Sequence, residues 1–135
     1  VTGMAVSVYR GFLRCDAERV WKTVTSAEGY PQWRSDLART EIAGEGMFVE
    51  YGKNGFPTFF AVKRSLPCAC WELELKNENM EGRWKGEFFR ADGGTKVVFT
   101  EEVRVGKFFF RPFAKAYLKA RQKKFFADLR RCLGC

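Results

Sequence analysis

The sequence predicts an α+β domain: a six- to seven-stranded curved antiparallel sheet wrapped around a long C-terminal helix, with two short helices after the first strand. Three observations lead there. Residues 37–105 break into short apolar runs separated by Gly, Asn and Asp turn signals, the mark of antiparallel strands rather than alternating βαβ units. A helical pattern stands before that series. A long amphipathic segment follows it.

In order, residues 6–14 alternate loosely, with Val6, Val8, Tyr9, Phe12 and Leu13, and predict a first strand. Asp16 is a candidate N-cap for a helix over 19–25 carrying Val20, Trp21 and Val24 on one side. Residues 26–36 hold Gly29, Tyr30-Pro31 and Trp33, predicting a short second helix or a turn, broken at the proline. Strands are then expected over 38–43, 47–51, 58–65, 71–76, 82–90 and 95–105. Asp92-Gly93-Gly94 is the strongest hairpin signal among their turns. Pro112 suits the first turn of a terminal helix reaching about Cys132. At 100° per residue, Ala114, Leu118, Gln122, Phe125, Phe126, Leu129, Cys132 and Leu133 share a stripe. Lys119, Lys123, Arg130 and Arg131 fall on the opposite, solvated face.

With 135 residues the chain has the length of a single domain, 1–135. It carries 14 Phe, 4 Trp and 4 Tyr, more bulky rings than filling a small core requires, and gaps lined by rings hold ligands. His is absent, which removes the commonest general base and every His-dependent triad. No apolar run is long enough to span a bilayer, so stable membrane insertion is not expected. The five Cys do not form a regular framework and suit a reducing cytoplasm, the expected location. Cys68-Ala69-Cys70 and Cys132-Leu133-Gly134-Cys135 lack the spacing of paired zinc knuckles, so no metal and no other cofactor is expected. The net charge of +8 permits anionic partners. No nucleic-acid module is recognised, whereas the interleaved Phe108-Phe109-Phe110-Arg111 leaves room for transient membrane or protein contact.

Several of these residues carry a resemblance. Val20-Trp21 followed by Gly29-Tyr30-Pro31-Gln32-Trp33, then Gly82-Arg83-Trp84-Lys85-Gly86 and Gly93-Gly94-Thr95-Lys96-Val97, resembles the START/Bet v 1-like superfamily, which includes polyketide cyclase/dehydrase and lipid-transport proteins. The likeness spans nearly the whole chain and implies a helix-grip fold with a cavity between the long helix and the sheet.

Strand alternation names the candidate lining. Trp71, Leu73 and Leu75 share one face of their strand; Trp84, Gly86 and Phe88 share one face of the next. On the last strand Val97, Phe99, Val103 and Val105 are in phase, and Glu101 is in phase with them. An inward carboxylate there accepts a ligand hydroxyl, acts as an acid or base, or else turns outward at the sheet rim. Gln122, within the helix stripe, bonds either a ligand or a backbone group. Trp33 and Tyr117 are expected near the cavity mouth. The candidate ligand-binding set is therefore Trp33, Phe60, Trp71, Leu73, Trp84, Phe88, Phe99, Glu101, Tyr117, Leu118, Gln122 and Phe125, with Glu101 the candidate catalytic residue. The expected function is binding or transport of an apolar small molecule. The alternatives are a cyclase or dehydratase using Glu101, and a protein-interaction module.

Overall fold

A computed structural model describes residues 4–135. The chain runs β1 (Met4–Leu13), α1 (Ala17–Thr25), a 3-10 turn (Ala27–Gly29), α2 (Tyr30–Trp33), β2 (Leu37–Gly44), β3 (Met47–Gly52), β4 (Pro57–Leu66), β5 (Cys70–Lys76), β6 (Met80–Ala91), β7 (Gly94–Val105), a second 3-10 turn (Phe108–Phe110) and α3 (Arg111–Leu133). The seven strands form one antiparallel sheet in the order β1-β7-β6-β5-β4-β3-β2. From β2 onward each strand hairpins onto the next, and β1 closes the series beside β7. Gly46, Gly55 and Gly93 take positive φ in the hairpin turns, where a side chain would be strained. Register shifts between Leu37 and Arg39, Ile42 and Gly44, and Val62 and Arg64 bend the sheet.

Asp16 caps α1, its Oδ1 accepting from the Arg19 N–H at 2.9 Å. Pro31 does not break the next segment. It occupies the first turn of α2, where the missing N–H would have had no intrahelical partner anyway. Helix α3 likewise opens with Pro112 in its first turn and ends at Gly134, whose left-handed backbone lets its N–H reach the Arg130 and Arg131 carbonyls.

Ala114, Leu118, Gln122, Phe126, Leu129 and Leu133 form the buried line of α3. Cys132, expected on it, is exposed: Leu133 takes the inward position and Cys132 lies 100° away on the helix. The solvated-face expectation also needs correction. Lys119 Nζ donates to the Val8 carbonyl and Arg130 Nη2 to the Phe12 carbonyl at 3.2 Å, so both satisfy carbonyls on the free edge of β1. Arg131 bonds Asp128 at 2.7 Å, and Lys123 remains exposed. Phe126 lies on Gly11, where a Cβ would come within 2.4 Å of its ring, so this strand position lets α3 approach β1 closely.

Two of the five cysteines are paired, although the cysteine pattern shows no regular framework. Cys15 and Cys135 form a disulfide across a sequence separation of 120, joining the β1–α1 connection to the residue beyond the α3 cap. Arg19 Nη2, bonding the Leu133 carbonyl at 2.9 Å, holds the same two segments together. No helix among the described residues is long and apolar enough to cross a membrane.

Candidate functional site

Between α3 and the concave face of the sheet lies a cavity of about 40 Å³. Its apolar wall is Phe60, Trp71, Leu73, Trp84, Phe99 and Phe125. Alternation explains the strand contributions: β4, β5, β6 and β7 each present every second residue to the helix. Trp84 folds back along its own strand over Gly86, where a Cβ would meet the indole at 2.8 Å. Phe99, Trp84 and Phe125 then pack with centroids 5.3 to 6.0 Å apart. These rings consume the space a helix-grip interior would otherwise offer. The remaining volume suits a few water-sized groups and is far below the ~300 Å³ of small-molecule pockets.

The lining also carries charge: Arg34, Glu50, Glu101 and Arg121, with Tyr30 and Gln122 among them. Arg34, at the end of α2, is buried and donates to Glu50 at 2.7 Å and to Asp36 at 2.8 and 3.2 Å. Its guanidinium carbon also lies 5.0 Å from the Tyr30 centroid and 5.1 Å from that of Phe125, between two rings. Asp36 is held below the ordinary carboxylate range, because Arg34's charge and hydrogen bonds outweigh the burial that raises it. The Tyr30 hydroxyl donates to the Val24 carbonyl, and burial pushes its pKa up.

Glu101 is 3% exposed and points inward from β7. Arg121 Nη1 stands 3.6 Å from its Oε2, an ion pair too long to be a hydrogen bond. Burial raises the Glu101 pKa, and the Arg121 charge offsets only part of that rise. The result is a desolvated carboxyl beside a cation, facing a cavity.

Glu50 and Arg121 also border an outer cleft of about 500 Å³ on the far side, lined by Asn54, Phe56, Asn77, Tyr117 and Lys124 among others. These two charged side chains therefore divide the inner cavity from the outer cleft.

The structure gathers eight of the sequence-derived candidates around the inner cavity: Phe60, Trp71, Leu73, Trp84, Phe99, Glu101, Gln122 and Phe125. Four stand elsewhere. Trp33 packs edge-on against Tyr30 and Phe125, behind the wall. Phe88 faces Trp21 under α1 with centroids 5.3 Å apart. Leu118 is wholly buried in the core, and Tyr117 is half-exposed on the outer cleft. Gln122 lines the cavity, yet its amide is engaged: Oε1 accepts from Ser7 Oγ at 2.8 Å while Nε2 donates to the Ser7 and Phe99 carbonyls at 2.9 and 3.3 Å. Of the two roles open to it, backbone satisfaction is the one its bonds display.

Sequence reasoning missed Tyr30, Arg34, Glu50 and Arg121. Two carried a readable signal. Glu50 is two residues from Phe48 on β3, the same phase argument that found Glu101. Arg121 lies three residues after Leu118 and four before Phe125, bordering the inward stripe.

The sequence pattern of a family described as polyketide cyclase / dehydrase and lipid transport matches residues 7–134. The chain belongs to that family. Solved structures agree in fold with this polyketide cyclase/dehydrase and lipid transport member. A conserved protein from Geobacillus kaustophilus superposes with a TM-score of 0.82 at 13% identity, covering 94% of this chain and 93% of that one. A START superfamily protein from Mycobacterium smegmatis gives 0.79 at 14% identity, with 94% of each chain covered. The Zhui aromatase/cyclase from a Streptomyces species gives 0.77 at 15%, covering 94% and 92%. At such identities the likeness shows the helix-grip architecture alone. No curated protein matched the sequence.

Proposed function

We propose that this member of the polyketide cyclase/dehydrase and lipid transport family binds a small, largely aromatic molecule between the sheet and α3, with a polar group of that molecule set against Glu101 and Arg121. One observation carries the reading: a ring-lined cavity holds a buried carboxyl whose ion-pair partner, Arg121, is too distant to hydrogen-bond it. A ligand hydroxyl set against both donates to the Glu101 carboxylate and accepts from Arg121, and a desolvated site strengthens each bond. The rings supply stacking surface. The present volume requires that Trp84, Phe125 or α3 move on binding, which makes entry a conformational step rather than simple docking.

A catalytic reading is favoured by the same carboxyl. Glu101, with its pKa raised by burial, has the character of a general acid or base, and Arg121 is placed to stabilise negative charge developing on a bound oxygen. The family description, naming both cyclase/dehydrase and lipid transport, supports either reading.

Trp71 and Trp84 line the cavity, so the protein carries its own probe. The test is a tryptophan-fluorescence and thermal-shift titration with hydroxylated polyaromatics, fatty acids and sterols, alongside native mass spectrometry of freshly purified protein. A bound polyaromatic at about 100-fold above Kd should stabilise the fold by about 2.7 kcal/mol, a rise of roughly 5–10 °C in Tm. Glu101→Gln separates the readings: a carrier retains binding within a few-fold, while an enzyme that uses the carboxyl retains binding and loses turnover. No fluorescence change, no thermal shift and no co-purified compound would overturn both.

A further inference from the structure

The segment between β7 and α3 turns its apolar side chains away from the core. Phe108, Phe109 and Phe110 are 74%, 55% and 42% exposed, and Phe113 on the first turn of α3 is 68% exposed. The three successive rings lie together, with centroids 5.9 and 4.6 Å apart. Single exposed rings are ordinary on protein surfaces, whereas a contiguous group marks a surface with a use. The backbone beneath them is fixed: the Phe110 N–H bonds the Lys107 carbonyl, and Gly106 N–H bonds the Asn79 carbonyl at the β5–β6 turn, each at 3.0 Å.

The charge flanking the rings is predominantly positive. Exposed Lys107, Arg111 and Lys115 flank the rings, while Lys53 stands on the adjoining β3–β4 turn and Lys76 ends β5. Glu78 is the sole carboxylate in the segments 52–56, 76–79 and 106–115 that make up this end. Two copies meeting through it would oppose like charges. An anionic bilayer, in contrast, accepts rings at its acyl boundary and cations at its phosphates.

Position adds to the argument. Phe113, Tyr117 and Arg121 follow one another at four-residue spacing along α3. Tyr117 and Arg121 border the outer cleft, and Arg121 also borders the inner cavity. Phe113 thus lies one turn of α3 from the cleft that Tyr117 lines.

We propose that the Phe108–Phe110 turn and the start of α3 form a docking surface for anionic lipid bilayers, with the rings inserted at the interface and Lys107, Arg111 and Lys115 on the lipid phosphates. Docked this way, the outer cleft opens at headgroup level. This surface is independent of what the inner cavity holds, and its test does not involve Glu101.

The test is flotation of the full chain with vesicles of phosphatidylcholine alone and of equal parts phosphatidylcholine and phosphatidylglycerol. Selective binding to the anionic vesicles is expected, weakening as salt rises from about 0.1 to 0.5 M. The double variant Phe109→Ser/Phe113→Ser should lower partitioning on the order of tenfold or more. Lys107→Glu/Lys115→Glu should lower it at least as far, since each cation near an anionic surface contributes about fivefold. Circular dichroism identifies any variant that misfolds, and the salt dependence of the unaltered protein tests the proposal without substitution. Equal binding to neutral and anionic vesicles, no binding to either, or undiminished binding by both folded variants overturns it. So does a solution dimer that Phe109→Ser/Phe113→Ser dissociates, which would make a second copy the occupant.

Discussion

Glu101 shows how one residue couples site and stability. Its carboxyl is buried on β7 and its proton is held more tightly in the folded chain than in the unfolded one. A raised folded-state pKa gives stability that is fully present below the unfolded carboxylate range, near pH 4.3, and is lost as pH rises through the folded value. Gln is neutral throughout. The melting temperature of Glu101→Gln should therefore gain on the unaltered protein as pH rises from about 4 to 8, each pH unit between the unfolded and folded values being worth about 1.4 kcal/mol. A difference that stays flat across that range would show that Glu101 is not a desolvated carboxyl. Arg34 behaves in the opposite sense. Replacing it by Met leaves Glu50 buried without its cation, and a loss of about 3–5 kcal/mol in denaturant unfolding is expected. The double variant Arg34→Met/Glu50→Gln should recover part of that loss, as a coupled pair requires. Simple additivity would count against the coupling.

At the scale of elements, the strands and helices were legible because each is announced by its own period and punctuation. Seven strands stand where alternation and turn signals indicated, their ends within two residues of the expected ones. Alternation also turned Glu101 to the interior of β7. What could not be read were the contacts between elements distant in sequence. Lys119 and Arg130 belong by periodicity to the outer face of α3, yet β1 ends its sheet beside that helix and its free carbonyls draw both side chains in. Arg34 gave no signal either, since its burial depends on Glu50 coming from a different element and on two rings closing over it. Gln122 is the clearest joint between elements. Its three hydrogen bonds fasten the middle of α3 to β1 and β7. Gln122→Leu keeps the apolar stripe but strands the Ser7 hydroxyl and carbonyl, and should cost about 1–3 kcal/mol in denaturant unfolding. An unchanged midpoint would return Gln122 to the role of a ligand contact.

Over the whole molecule, the two ends of α3 are held very differently. Its 23 residues span about 35 Å. Toward the C-terminus, Phe126, Asp128, Leu129 and Leu133 are buried, Asp128 accepts from the Ser35 N–H and hydroxyl at 2.7 and 2.9 Å, and the Cys15–Cys135 disulfide closes the end. Toward the N-terminus, only Ala114 and Leu118 are buried, while Phe113 and Tyr117 face solvent beside the outer cleft. A cavity of about 40 Å³ admits a ligand only if something yields, and local stability decides what does. The less buried N-terminal half is therefore expected to yield before the clamped C-terminal half. Amide hydrogen exchange reads this directly. Residues 114–120 should exchange faster than residues 124–131, and a bound ligand should slow the first group more than the second. Cys15→Ser/Cys135→Ser should raise exchange at the C-terminal end and lower global stability by about 2–4 kcal/mol. If the C-terminal half instead exchanges first in the oxidised protein, α3 does not open from the ring-bearing end, and entry must proceed through the sheet side of the cavity.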